Sequence, residues 1–396
     1  MKRLLVLGGP IFQKFVIEKA KKMGLYVGVV DINANAPAAE FSDEFFIGSI
    51  KDKEAMMKVA LSFKPDAIMS GACDTSVNTV AWLCKKLNLS GITEECAIKS
   101  TDKVEMLNAF VLAGVACPSY QVVKKKEIGS FVPSLPYPFI AKPTDSAGGR
   151  GVNLITNNSE LKDLIKSSSS SGASGDVLLE ECLQGPEVSV EILVVDSVPY
   201  VIQMTDKLTS GAPHFFEIGH VQPSSLTKEH QEQIAMLAKD AVRAVGIQSG
   251  ASHVEIILTK DGPKMIELGA RLGGDCITSL LIDRSISGLD MTSMAIRLAL
   301  GNSVKIPDYC NSGKYAAIKF LPSAEGVLKK INGSEEAEGI PGVMHVEVVG
   351  EVGQQYQSAV DDSSRFAFAV ALGDSQQKAL EKCNRALGML NVEVGK

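Results

Sequence analysis

The sequence predicts a multi-domain protein of mixed α/β and α+β class. Three observations carry this: short apolar runs alternate with helical patterns over the first hundred residues, two apolar strands follow an amphipathic helix near residue 250, and strand patterns dominate after residue 310. At 396 residues the chain is too long for one ordinary domain and should divide into about two to four packed units.

In the N-terminal stretch, "RLLVLG", "YVGVVDI" and "DAIMSG" read as strands, and "QKFVIEKAKKMG", "KEAMMKVALSFK" and "VNTVAWLCKKLN" as the helices between and after them. Such an alternation specifies a parallel sheet with helices on its faces. Gly8-Gly9-Pro10 follows the first strand and Asp31 ends the second, which invites a dinucleotide reading. The later glycine of G-x-G-x-x-G is missing, and this counts against it. Residues 167–175, "SSSSSGASG", read as a surface loop. From 227, "TKEHQEQIAMLAKDAVRAVG" puts Ile234, Leu237, Ala238, Ala241, Val242 and Val245 on one helical face, with Thr227 as N-cap and Gly246 as stop.

A formal charge of -6, with no like-charge run beyond Lys124–Lys126, argues against a nucleic-acid-coating surface and for a small-molecule ligand. The eight cysteines are scattered, without C-x-x-C or zinc-ligand spacing, and read as reduced thiols. The N-terminal apolar run is too short for a signal peptide, and no stretch approaches the roughly 20 apolar residues of a membrane span. The expectation is a cytoplasmic protein with no membrane partner.

The segment "ASHVEIILTKDGPKMIELGARLGGD" reads as a hairpin. A three-residue Lys260-Asp261-Gly262 loop would pair Thr259 with Pro263, and counting back sets Glu255 opposite Glu267. His253, Glu255, Met265 and Glu267 would then share a face, with Gly269 and Arg271 continuing it, while Val254, Ile256, Leu258, Ile266 and Leu268 fill the other. Like charges directly across a strand pair are destabilising, so a cation is expected between them. Two readings stand open: solvent-facing carboxylates screened by salt, or a hard divalent cation completed by phosphate oxygens.

Residues 142–152, "KPTDSAGGRGV", form a glycine-rich loop between two apparent strands. It is not a Walker A loop, because the lysine precedes the glycines and a strand follows. Backbone amides of Ser146 to Gly151 could cradle phosphate, or the loop could be a plain hairpin turn.

Taken together, the strand-lysine and glycine loop at 142–151, "VLLEECLQGPE" at 177–187 and the paired-glutamate hairpin ending "ELGAR" resemble the ATP-grasp superfamily. The resemblance implies a Rossmann-like domain at 1–100, a small lid subdomain at 101–190, a large subdomain with the metal site at 191–308 and a β-rich C-terminal domain at 309–396. It implies ATP and Mg²⁺ as cofactors, two ions with Mn²⁺ as a substitute. By position, Lys103 and Lys142 resemble the phosphate-contacting lysines, and Ser146, Gly148, Gly149 and Gly151 the lid over the phosphates. Glu180, Glu181 and Leu183 lie where the adenine-reading hinge is expected, and Glu187 matches the ribose-binding acid. Glu255 and Glu267 match the metal ligands, and Arg271 the phosphate-stabilising arginine. One departure stands out: the commoner pattern has asparagine where this chain has Gly269.

Within "DKLTSGAPHFFEIGHVQP", Glu217 and His220 flank a glycine before a proline and are expected on an irregular edge. Glu217-x-x-His220, His253-x-Glu255 and Glu267-x-x-x-Arg271 resemble the L-amino acid ligases. That resemblance implies Glu217 against a substrate ammonium, and His220, Arg271 and the Gly273-Gly274 backbone against carboxylate or acyl-phosphate oxygens. The implied activity is ATP-dependent joining of a carboxylate to an amine through an acyl phosphate. Carboxylation or formylation of purine or biotin type, and nucleotide binding without catalysis, are the alternatives. A homodimer is common among such proteins.

Overall fold

The computed structural model describes residues 1–395. The N-terminal unit contains β1 (Arg3–Leu7), α1 (Lys14–Lys22), β2 (Tyr26–Asp31), β3 (Glu44–Ile47), α2 (Lys53–Phe63), β4 (Ala67–Met69) and α3 (Asp74–Leu87). Its four strands are parallel in the order β3-β2-β1-β4. Leu4 to Leu7 are fully buried because helices cover both faces, as a parallel sheet requires. β3 escaped the sequence reading. It is short, only half-buried, and reached through a 3₁₀ turn rather than a helix. Asp31 is engaged by its own loops, accepting from the amides of Gly9 (2.7 Å) and Asn33 (2.8 Å).

Helices α4 (Glu94–Lys99) and α5 (Lys103–Ala113) lead to a second unit built from β5 (Tyr120–Val123), β6 (Phe139–Pro143), β7 (Asn153–Ile155), α6 (Asn158–Ser170) and β8 (Val177–Glu181). The strands are antiparallel in the order β5-β8-β6-β7 over a core of Phe139, Ile155, Ile165 and Leu179. The serine run is not all loop, since α6 continues to Ser170. Ser168 is fully buried and donates to the carbonyl of Gly151 at 2.8 Å, which replaces the hydrogen bond a solvated loop serine would make to water.

The third body is an eight-stranded antiparallel sheet. It takes β9 (Glu187–Val195), β10 (Val198–Thr209), β11 (Glu217–Gln222), β12 (Gly250–Thr259) and β13 (Gly262–Gly269), with α7 (Lys228–Val245) packed on one face. Thr227 caps α7, accepting from the His230 amide at 3.3 Å, and Gly246 ends it at φ +85°, the conformation that glycine adopts most readily. After α8 (Ile282–Ser285), β14 (Ile286–Ser287), α9 (Met291–Ala299) and β15 (Cys310–Asn311), the same sheet resumes with β16 (Tyr315–Pro322) paired to β11. Then come β17 (Gly326–Asn332), α10 (Ser334–Glu338), β18 (Val343–Val348), β19 (Gln355–Tyr356), β20 (Arg365–Gly373), α11 (Gln376–Gly388) and β21 (Asn391–Gly395). The large sheet runs β13-β12-β9-β10-β11-β16-β20-β18, while β19-β17-β21 form a small separate one. Residues before and after 309 therefore share one continuous sheet. The cysteines are free thiols, and no helix among the described residues is long and apolar enough to cross a membrane.

Candidate active site

A cleft of about 520 Å³ opens where the three bodies meet, and the paired glutamates lie in it. Glu255 and Glu267 are directly opposite in the β12–β13 pair, although the turn is tighter than expected. Thr259 pairs with Gly262 rather than Pro263, and a bulge at Ile266 restores the register one residue later. The bulge also re-sorts the faces. Met265 turns into the α7 core with Val254, Ile256 and Leu268, while Ile266 faces the cleft, the reverse of simple alternation.

Each of the two glutamates is paired with a lysine of its own. Lys207 Nζ lies 2.8 Å from Glu187, 2.9 Å from Glu217 and 2.9 Å from Glu255, which uses all three of its donors. Lys103 Nζ sits 3.0 Å from Glu267 and donates to the Ser146 carbonyl at 2.7 Å. Burial alone would lower both ammonium pKa values, but the surrounding carboxylates outweigh it and raise them. For Glu187 burial wins, and its carboxyl is raised. For Glu255 the desolvation is overcome by Lys207 and His253, leaving it well below the usual carboxylate range. His253 bridges Glu191 and Glu255, and burial is outweighed by Glu191 so that its pKa rises to about 10.

Two carboxylates held side by side by adjacent strands are a hard oxygen donor set that fits Mg²⁺, with Lys207 and Lys103 as their present counter-charges. Glu217, His220 and Asp275 also cluster closely enough to hold an ion. There, however, Arg365 already supplies the positive charge, at 2.9 and 3.0 Å from the two Asp275 oxygens and 3.4 Å from Glu217. Against burial, Glu217 and Asp275 raise the pKa of His220 to about 9.

β11, which carries Glu217 and His220, is an interior strand and not the edge expected from the sequence. Its irregularity is real, because Leu208 faces Gly219 while Thr209 faces Glu217, leaving Ile218 as a bulge. Residues three apart alternate faces on a regular strand; the bulge brings both side chains into the cleft.

The glycine loop joins β6 to β7 as a flap. Gly148, Gly149 and Gly151 have φ of +67°, +70° and +75°, and Ser146, Gly148 and Gly149 line the cleft. Gly151 does not; a Cβ there would lie 2.5 Å from Ser171, so this glycine serves packing. Lys142, at the base of the flap, pairs with Glu180 at 2.6 Å. Glu180 thus differs from its neighbours at the expected hinge: its side chain is buried against Lys142, and its Oε1 has no hydrogen-bond partner among the described residues. Glu181 and Leu183 line the cleft, as do apolar Ile140, Ile257 and Ile266, which suits a flat aromatic base. Gly274 borders the cleft, whereas Gly273 packs over Glu191, whose oxygens would lie 2.7 Å from a Cβ.

Residues 135–279 match the family described as ATP-grasp domain, residues 1–97 the ribonucleotide synthetase preATP-grasp domain, and residues 319–395 the L-amino acid ligase C-terminal domain 2.

Residues 135–279 thus form an ATP-grasp domain.

Among curated relatives, alanine–anticapsin ligase of Bacillus subtilis (strain 168) is 30% identical over 281 residues, 64% of this chain and 58% of that protein. Uncharacterized protein y4rH of Sinorhizobium fredii (strain NBRC 101917 / NGR234) is 26% identical over 329 residues, 81% of this chain and 66% of the other. The chain thus spans less than two thirds of the length of each of these relatives. The L-amino acid ligase from Bacillus licheniformis superposes with a TM-score of 0.84 at 22% identity, covering 100% of this chain and 99% of that one, which shows a common fold.

Lys207, Asp275, Asp362 and Arg365 line the same cleft and were not singled out by the sequence reading. Lys207 lies inside the segment quoted for Glu217 and His220, but a strand lysine carries no signal of three carboxylate partners. Arg365 comes from a strand nearly a hundred residues beyond Arg271, and only the continuity of the sheet brings it near.

Proposed function

We propose that the protein is an ATP-dependent ligase that joins a carboxylate, from an amino acid or related acid, to an amine through an acyl phosphate, releasing ADP and phosphate. The observation that carries this reading is the convergence of Lys103, Lys142, Glu255, Glu267 and Arg271 on one cleft with an apolar slot at the hinge side. ATP-grasp enzymes use ATP with Mg²⁺, and bound Mg²⁺, one ion or two, would neutralise charge on the transferring phosphoryl group.

Lys103 and Lys142 would hold ATP phosphates, and the backbone of Glu181 to Leu183 would read adenine with Glu187 on the ribose. Glu255 and Glu267 would hold the metal. The flap from Ser146 to Gly151 would close over the phosphates and keep water from the acyl phosphate. Arg271 would spread the charge of the phosphoryl group as the substrate carboxylate oxygen attacks it. The amine then attacks the acyl carbon, and phosphate departs with one of the two original carboxylate oxygens. Glu217, in its His220–Asp275–Arg365 network, offers a carboxylate to a substrate ammonium, and the neighbouring cations suit a substrate carboxylate.

Biotin-type carboxylation is less well supported, because "LGARLGGD" follows Glu267 where that chemistry uses glutamine-valine-glutamate-histidine. Binding without catalysis is disfavoured by the intact set of lysines and glutamates. Incubation with ATP, Mg²⁺ and pairs of amino acids should release phosphate and yield a condensed product by mass spectrometry. Glu267→Gln should abolish release; retained turnover would remove Glu267 from the metal site.

A further inference from the structure

The N-terminal unit reaches into the cleft through Asp74, the first residue of α3. Its carboxylate accepts from Arg271 Nε at 2.6 Å and Nη2 at 2.7 Å, a two-point fork that fixes the guanidinium plane. Arg271 also donates from Nη1 to the Leu272 carbonyl at 2.9 Å. Three of its five donors are thus committed, and the remaining two are left for a ligand. The start of a helix favours a negative charge, and the nearby Lys103 adds to this.

The space for this fork exists because residue 269 is glycine. A Cβ at Gly269 would lie 3.0 Å from Asp74 Oδ1, 3.2 Å from Arg271 Cγ and 3.3 Å from Arg271 Cζ. Gly269 has no positive φ that would demand glycine, so close approach is the physical reason for its lack of a side chain.

We propose that Asp74 is a positioning residue for Arg271, delivered from the N-terminal unit into the room left by Gly269. The pair takes over the place where a side chain at 269 would otherwise project, and it makes the alignment of Arg271 depend on docking of the N-terminal unit. This rests on the ligase reading only for the role of Arg271 in turnover; the fork itself can be tested without a reaction.

The test is phenylglyoxal labelling of the full chain, read arginine by arginine by mass spectrometry, with MgATP affinity and kcat measured alongside. In Asp74→Asn, a near-isosteric change that should fold, labelling of Arg271 should rise severalfold while that of Arg365 stays constant. Gly269→Asn should produce the same exposure by displacing Asp74, and the double variant should be no worse than either single one. If the wild type turns over, kcat in each variant should fall by about 100-fold, the cost of a misplaced catalytic group, with MgATP affinity little changed. Unchanged labelling of Arg271 in both single variants would overturn the proposal, as would labelling gains that add in the double variant. Absence of turnover in the wild type would count against the ligase reading and leave the labelling result standing.

Discussion

Lys207 meets carboxylates from three strands, Glu187 of β9, Glu217 of β11 and Glu255 of β12, and is almost fully buried while doing so. Removing one partner of a buried ionic group leaves charges without compensation, at a cost of about 3–5 kcal/mol. Lys207→Met should therefore lower the thermal midpoint by several degrees. Because the carboxylates left behind include a metal-ligand candidate, millimolar Mg²⁺ should restore part of the loss in the variant and have a smaller effect on the wild type. Thermal melts with and without Mg²⁺ check this, and an equal response to Mg²⁺ in both proteins would show that no cation enters beside Glu255.

At the scale of elements, bulges and glycines decide which side chains reach the cleft. The glycine flap gives a graded case. A Cβ at Gly148 meets open space, so Gly148→Ala should cost only the backbone strain of a left-handed residue, about 1–2 kcal/mol. Gly151→Ala adds overlap with Ser171 and Pro143 and should destabilise more, which paired urea titrations would reveal. Much of this level was legible in the sequence. The helix at 228–245 and its caps follow from period and end residues, and Glu255 does stand opposite Glu267. That pairing came out right because two deviations cancel: the turn is a residue shorter than expected, and Ile266 bulges to compensate. The fates of Met265 and Ile266 were not legible, since a bulge is set by packing against α7 and not by alternation. The half-buried β3 and the buried Ser168 were missed for the same kind of reason: tertiary partners, absent from any local pattern, determine them.

Across the whole molecule, α1 ties the N-terminal unit to the rest by ion pairs. Lys19 meets Asp283 (3.0 Å) and Asp290 (2.9 Å), and Lys14 meets Glu347 of β18 at 2.8 Å. A hydrogen bond from His345, offset in part by burial and reinforced by Lys14, lowers Glu347 from its ordinary value near 4.5 to about 2. A carboxyl depressed on folding contributes stability above its unfolded pKa and loses it as pH falls through the folded value. Glu347→Gln should cost about 1–3 kcal/mol at neutral pH, and the difference from wild type should shrink between about pH 4.5 and pH 2, as denaturant melts across that range would show. These ties, with Asp74 on Arg271, hold three bodies around one cleft where carboxylate, amine and ATP would meet. The central claim is that the carboxylate is phosphorylated, and oxygen bookkeeping tests it most directly. With an amino acid labelled with ¹⁸O in its carboxylate, one labelled oxygen should appear in the inorganic phosphate for each amide bond formed. Product formation with unlabelled phosphate would contradict the acyl-phosphate route.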